Sequence, residues 1–346
     1  MRCQRANTIR RQQTAHTDVK VNPHVRFGLL EETLKRIRFA TVTGVFASIA
    51  ICEAAGSGTT AALPPPTEPN IHIEDVERFY KVYDAKDGHP TAEQLQHEYI
   101  DLGSDGLHRF AKLRNISGAT IAVALAKHPE MYSNPRPCAD VLPHVRQRLA
   151  VALRKLGELY PEAKFPPVTI AIGHGKPVGV GSPVSGVQIG LEALCAVTWM
   201  NPNLEDRFVH VIAHEYAHVQ QVRALVDDEH PTVLEASLIE GVAEFIAELI
   251  SGEVSSYQFK TRPKGDEKEI ETAFVSDEDK TDLSKWLYNG TMDKLGDLGY
   301  WIGYRIVKSY YQHAADKRRA LREILEMTNP KAFLATSGWY PGIRLD

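Results

Sequence analysis

The chain has no run of 18 or more apolar residues, the length a spanning helix needs, so no stable membrane span is expected. It has little net charge, −4 over 346 residues, and no basic stripe beyond its first 40 residues. That removes the electrostatic case for nucleic acid as a partner. Cysteine is scarce, with four residues and no Cys-x-x-Cys spacing, so a cysteine-based zinc site is not indicated. There is no Gly-x-Ser-x-Gly elbow, no P-loop and no dinucleotide fingerprint, which removes the commonest serine hydrolase and nucleotide-binding readings. No internal repeat is present, so a solenoid is excluded as well.

What remains is an ordinary globular composition, 43% hydrophobic and 24% charged. The N-terminal part divides by composition. Residues 1–34 read as an unstructured extension or start-site artefact, with the true start near Leu34. Residues 35–58 have the layout of a signal peptide: Lys35, Arg36 and Arg38, then Phe39-Ala-Thr-Val-Thr-Gly-Val-Phe-Ala-Ser-Ile-Ala-Ile51, then the small residues Ala54 to Gly58. An exported, periplasmic or secreted protein is therefore expected, and a cytoplasmic one if this segment is instead a buried helix. Residues 59–70 are a proline-rich linker. Residues 71–346 are expected to form the functional domain. Cys138 and Cys195 would both survive processing; they either pair in an oxidising compartment or sit as small buried hydrophobes.

Within 71–346, helical periodicity appears at 74–84, 91–101, 107–128 with a break at Ser117-Gly118, and 140–159. Short strands are expected at 168–172, 178–180 and 187–191, and their tight glycine and proline connections suggest antiparallel pairing. Helical spacing returns at 204–225, 232–251, 281–288, 297–313 and 316–327. Residues 261–280 read as a solvated loop, with a helix possible near 269–274. The fold class is α+β, mostly helical, with a small antiparallel sheet before the two helices that carry the chemistry.

Those chemical residues begin with His214-Glu215-Tyr216-Ala217-His218. On a helix, His214 and His218 project from one face a turn apart, and both imidazoles can reach one zinc ion at about 2.0–2.1 Å. Glu215, beside the first ligand, is placed to act as general base toward a zinc-activated water. Three fixed identities in five residues arise by chance often enough that context matters. Asn203, Glu205 and Asp206 suit the cap and first turn of that helix, and Phe208, Val211, Ile212 and Val219 give it a core-facing side. A catalytic zinc needs a third ligand and one open position. Glu240, on the next helix, is the expected ligand, with Glu235 as the fallback. Small residues at Gly241, Ala243 and Ala247 are expected to let this helix approach the histidine helix. Glu244 is placed to hydrogen-bond a ligand imidazole. His210 is also four residues from His214, but no base follows it. Three histidines over two turns span about 12 Å, too far for one ion, so His210 is expected to line the cleft or the surroundings of the ligands.

With these residues in view, His214-Glu-Tyr-Ala-His-Val-Gln-Gln221 and Glu240-Gly-Val-Ala-Glu-Phe245 resemble the gluzincin clan of metallopeptidases, with a thermolysin-like metal site. A nearer resemblance is to a bacterial family of predicted zinc-dependent proteases, a domain of unknown function. It rests on the two metal motifs, Asp75-Val-Glu-Arg-Phe79, Glu98-Tyr-Ile-Asp-Leu-Gly-Ser-Asp-Gly-Leu107 and Gly299-Tyr-Trp-Ile-Gly-Tyr-Arg305, over residues 73–340. The resemblance implies a zincin-like domain holding one Zn2+ per chain through His214, His218 and Glu240. It also implies a metallopeptidase with a peptide or protein substrate. In the clan a substrate pairs with an edge strand, here within 178–191, and a Tyr or His stabilises the developing oxyanion; Tyr300 and Tyr304, beside Gly299 and Gly303, are either the candidates for this or ordinary helix packing through glycine notches. Two other classes remain open. One is a catalytically silent binding or structural protein on the same scaffold. The other is a diiron carboxylate bundle, which needs a second Glu-x-x-His that the chain lacks.

Overall fold

The computed structural model describes residues 68–345, except 134, 260–264 and 292–295. These all lie in one compact unit, Thr59–Asp346. The extension, the signal segment and most of the linker expected before residue 70 lie outside the described residues. Among the described residues no helix is long and apolar enough to cross a membrane.

The chain opens with strand β1 (Ile71–His72) and helix α1 (Glu74–Asp84). Helix α2 (Ala92–Gln94) starts at Thr91, whose hydroxyl and Gln94 form a capping box, and it widens into a π-helical turn over Leu95–Ile100. The break expected at Ser117-Gly118 divides α3 (Asp105–Arg114) from α4 (Gly118–Lys127) because the Ser117 hydroxyl accepts from Thr120 N and caps the second helix. The short α5 (Glu130–Ser133) and a 3-10 turn (Arg136–Val141) lead into α6 (Leu142–Leu159). The strands β2 (Val168–Ala171), β3 (Gly179–Ser182) and β4 (Gly186–Gly190) precede α7 (Leu191–Ala196). The helices α8 (Leu204–Gln220), α9 (Arg223–Val226), α10 (Val233–Ser251), α11 (Glu267–Val275), α12 (Leu298–His313), α13 (Lys317–Leu325) and α14 (Pro330–Thr336) complete the fold.

The fold is mostly helical, as expected, but the sheet is mixed rather than antiparallel. Its order is β1-β2-β4-β3; β1 and β4 both run parallel to β2, and only β3 and β4 are antiparallel. The reason is topological. After β2 the chain crosses to the far edge, forms β3 there, and the hairpin at Pro183–Ser185 returns β4 into the gap. The tight connections therefore join strands that are not all neighbours. β1, two residues long, forms the other edge beside β2. Buried Glu192 accepts from Gly173 N and Gly175 N, both at 2.9 Å, and so fixes the connection that leads to β3.

The segment 281–288, read as helical, instead forms turns. Trp286 is drawn out of a helical path by its indole, which donates to Asp277 at 3.0 Å, and Tyr288 adopts a left-handed φ of 57°.

Helices pack on both faces of the sheet. On one, α3 comes so close that a Cβ at Gly106 would meet Thr169 Oγ1 at 1.9 Å. On the other, β3 lies across α8, and a Cβ at Gly181 would meet the Glu215 carbonyl oxygen at 2.0 Å. Two hydrophobic clusters result. Phe208, Val209, Val211, Ile212, Tyr216 and Val219 of α8 join the sheet-side cluster. Ala213 and Ala217 join the cluster formed with α10 and α12. α8 therefore runs between two cores, and every residue from Arg207 to Gln220 is buried.

Cys138 and Cys195 form a disulfide, tying the turn before α6 to α7. Of the two readings open from sequence, pairing is the one found. The bridge closes a sequence separation of 57 residues, and a loop of that size restricts the unfolded chain enough to contribute about 2–4 kcal/mol. Replacing both cysteines by alanine is expected to lower the urea unfolding free energy by about that amount; unchanged unfolding would show that the bridge restrains little.

Candidate metal centre

α8 is built to start where it does. Asn203 Oδ1 accepts from Asp206 N at 3.0 Å, Glu205 and Asp206 occupy the positive first turn, and Arg207 reaches back to the carbonyls of Leu194 and Asn201 at 3.0 and 2.8 Å. α10 begins with a second capping box. Thr232 N donates to Glu235 Oε2 at 2.7 Å, while Thr232 Oγ1 accepts from Glu235 N at 3.3 Å. Glu235 is thereby committed to the cap and is removed as the alternative ligand.

The structure brings His214, His218 and Glu240 together, all three buried. His214 Nε2 and His218 Nε2 are 3.1 Å apart, and each lies 3.4 and 3.3 Å respectively from Glu240 Oε2. Tetrahedral bonds of about 2.0–2.1 Å put zinc ligand atoms about 3.3–3.4 Å from each other. The donor triangle has that size, and two neutral nitrogens with one carboxylate oxygen are a donor set that zinc accepts. The residues present therefore fit the ion.

The far side of each imidazole is also occupied. His218 Nδ1 faces Gln221 Oε1 at 2.7 Å, and the Gln221 amide donates in turn to the Ile239 carbonyl at 2.8 Å, just before Glu240. His214 Nδ1 faces Ser255 Oγ at 3.4 Å and Glu244 Oε1 at 3.5 Å. Partners on Nδ1 keep its proton there and leave Nε2 to the metal. Glu244 stands behind His214, as the sequence suggested, but its nearest partners are serines. It accepts from Ser255 N and Oγ at 2.8 and 2.7 Å and from Ser256 N and Oγ at 3.3 and 2.6 Å. Gln221, Ser255 and Ser256 were not singled out from sequence. Only Gln221 gave a signal, three residues past His218 at the C-cap of that helix.

The close approach expected between α10 and α8 through Gly241 serves another helix. A Cβ at Gly241 would meet the Gly303 backbone at 2.1 Å, and one at Gly303 would meet the Ser237 carbonyl at 1.7 Å. Gly241 is thus the notch for α12. That contact brings Tyr300 onto His214, with rings parallel within 13° and centroids 6.3 Å apart. Tyr304, one turn on, does not join the centre; its hydroxyl donates to Glu248 at 2.8 Å. His210 also stands apart from the donor triangle, with Nδ1 2.8 Å from Ser251 Oγ. A residue missed in the sequence does join: Tyr288 donates to Glu240 Oε1 at 3.1 Å and meets Tyr300 edge to face.

Glu215 lies under β3, where a Cβ at Gly179 would meet its Oε1 at 2.3 Å. Burial raises its pKa, against the lowering influence of His214 and His218. Glu240 is also desolvated, but the two imidazoles outweigh that and hold it well below the usual carboxylate range. His214 shows the reciprocal effect. Burial lowers its pKa, yet the bond to Glu240 and the charges of Glu244 and Glu215 raise it to about 9.

Residues 190–332 match the family described as "Predicted Zn-dependent protease (DUF2268)". The stretch is shorter than the 73–340 resemblance suggested by the sequence, and it takes in His214, His218 and Glu240 together with Glu215, Tyr288 and Tyr300. The match supports a zinc-dependent protease-like family of unknown function. No curated protein and no solved structure matches the chain.

The His214 shift gives a test of the centre in its metal-free form. A histidine whose pKa rises from 6.5 to about 9 on folding contributes stability that is full below pH 6.5 and lost as pH rises toward 9. Metal-stripped protein is expected to lose melting temperature across that window, and zinc-loaded protein is not, because bound metal replaces the proton. Parallel pH profiles for the two forms would contradict this arrangement.

Proposed function

We propose that the chain is a zinc metallopeptidase with a zincin-like fold. His214, His218 and Glu240 hold one Zn2+, and Glu215 is the general base. The observation that carries this reading is the buried donor triangle with a carboxylate next to the first histidine. When bound, zinc supplies a Lewis acid that polarises a carbonyl and brings the pKa of water to about 7.

The chain's own residues do the rest. Glu215 takes a proton from the attacking water and returns it to the leaving amine, and a carboxylate raised by burial suits both halves of that transfer. Gln221 and the Ser255–Glu244 pair keep both imidazoles oriented. Tyr300, stacked on His214 and hydrogen-bonded to Glu240, would turn its hydroxyl from that carboxylate to the charge developing on the substrate carbonyl oxygen. β3 is one of the two edge strands among the described residues, and Gly179 on it approaches Glu215. A peptide added as a further strand would run past the base, in the manner of β-augmentation. Export is supported by the disulfide, which persists in oxidising compartments, and by the leader-like segment 35–58.

Glu215→Gln is expected to keep zinc at one per chain and to lower cleavage of a peptide library by about 10²–10⁴-fold. Cleavage at the wild-type rate would sink the assignment of the base. Zinc-loaded wild type that cleaves nothing in the library would favour the silent scaffold instead. Gly179→Ala reaches the same residue from the other side. Its new methyl displaces the Glu215 carboxylate, so hydrolysis is expected to fall by about 10²-fold or more with zinc content unchanged; full activity would mean that Glu215 tolerates another position.

A further inference from the structure

Tyr288 belongs to no motif, yet it is the most unusual residue near the centre. Its backbone is left-handed, at φ 57°, a conformation that a bulky side chain rarely adopts. Strain of this kind persists only where the surroundings impose it. Here they do. Asn289 N donates to Asp297 Oδ1 at 2.9 Å, Asp297 N donates to Asn289 Oδ1 at 2.8 Å, and the Asn289 amide donates to the Ser284 carbonyl at 3.0 Å. Gly299 N donates to the Trp286 carbonyl at 2.7 Å, so the turn carrying Tyr288 is fastened to the first turn of α12. α12 is itself fixed on α10 by the Gly241–Gly303 contact. Tyr288 is thus held rigidly relative to Glu240.

Burial does not explain this bracing. Tyr288 is 61% exposed, so little apolar surface is gained by holding it there. What the bracing secures is one hydrogen bond, from the Tyr288 hydroxyl to Glu240 Oε1 at 3.1 Å. The other oxygen of the same carboxylate, Oε2, faces the two imidazoles. A carboxylate is able to bind a metal through one oxygen or both. With Oε1 engaged by a phenol, only Oε2 is offered.

We propose that Tyr288 is a positioning residue for the metal centre, which holds Glu240 as a single-oxygen ligand and so preserves the open position that catalysis needs. This rests on the zinc reading above. Tyr288 also meets Tyr300 edge to face, so the tyrosine that engages Glu240 touches the one that stacks on His214.

The test compares zinc affinity, measured by competition with a chromophoric chelator, in wild type, Tyr288→Phe and Tyr288→Gly. Tyr288→Phe keeps the ring and removes only the hydroxyl; it is expected to weaken zinc binding about 10–100-fold, the range seen when a ligand loses its orienting partner. Tyr288→Gly relieves the left-handed backbone and is expected to weaken zinc at least as much, while the metal-free protein melts no lower than wild type. Wild-type affinity in Tyr288→Phe overturns the assignment, and so does a metal-free Tyr288→Gly protein that melts well below wild type, since that marks a structural tyrosine. A wild-type chain that takes up no zinc removes the metal reading itself, and this inference with it. Zinc bound by wild type and equally by Tyr288→Phe removes the inference alone.

Discussion

The structure depends on one helix that is buried along most of its length and still carries His214, Glu215 and His218. Polar groups in such a place cost several kcal/mol each unless partnered. Glu240 and Glu244 come in from α10, so three carboxyl groups and two imidazoles share a desolvated volume. Carboxylates outnumber the groups that can neutralise them. The raised pKa of His214 expresses that excess, because a proton on the imidazole is the cation nearest to hand. A divalent ion at the donor triangle supplies the balance better, and the spacing of the three atoms is that of its ligands. The charge excess and the donor spacing, two aspects of one geometry, both suit a divalent ion.

Holding such a cluster requires backbone precision, and close backbone contacts provide much of it. Gly179 and Gly181 bring β3 down on Glu215, and Gly241 and Gly303 bring α12 onto α10. A side chain at any of these positions would collide with the neighbouring element. The arrangement brings two edges to the centre: a strand edge beside Glu215, and a pair of tyrosines beside His214 and Glu240. The expectation that Gly241 served the α8–α10 contact assigned the right device to the wrong interface. Ala213 and Ala217 of α8 are small enough for that contact, and glycine was needed where α12 arrives.

Local features were legible in the sequence. The helices read at 74–84, 140–159, 232–251 and 297–313 follow from periodicity and caps to within two residues, the one read at 204–225 is interrupted after Gln220, and the candidate donors follow from spacing along those helices. Features set by distant chain were not. The direction of β4 depends on the route the chain takes after β2, which no local pattern records. The turn at 281–288 has helical spacing, yet Asp277 captures Trp286 and Asp297 pairs with Asn289, and neither acceptor lies within the segment. Tyr288 was missed for that reason. The disulfide was open for the same kind of reason, since two cysteines 57 residues apart in sequence reveal nothing about the distance between them. Glu235 shows the opposite case. Its spacing from Thr232 is a capping box readable from sequence, and reading it would have removed the alternative ligand at once.

Three glutamates of identical chemistry meet at this centre, and their surroundings divide the work. Glu215 has a glycine-lined strand above it and few donors, so burial dominates and its proton is held more tightly than in water. Glu240 faces two imidazoles, and their charge overrides the same burial. Glu244 is turned toward two serines that supply four donors to its oxygens, and it stands outside the donor triangle. Environments that push like groups apart are how one site comes to hold distinct acid–base roles. The division also explains why the order along the chain gives so little guidance. Glu215 and Glu244 sit within one or four residues of a ligand, yet neither occupies the donor triangle. What decides is which neighbours each carboxyl group meets once α8, α10 and α12 have packed.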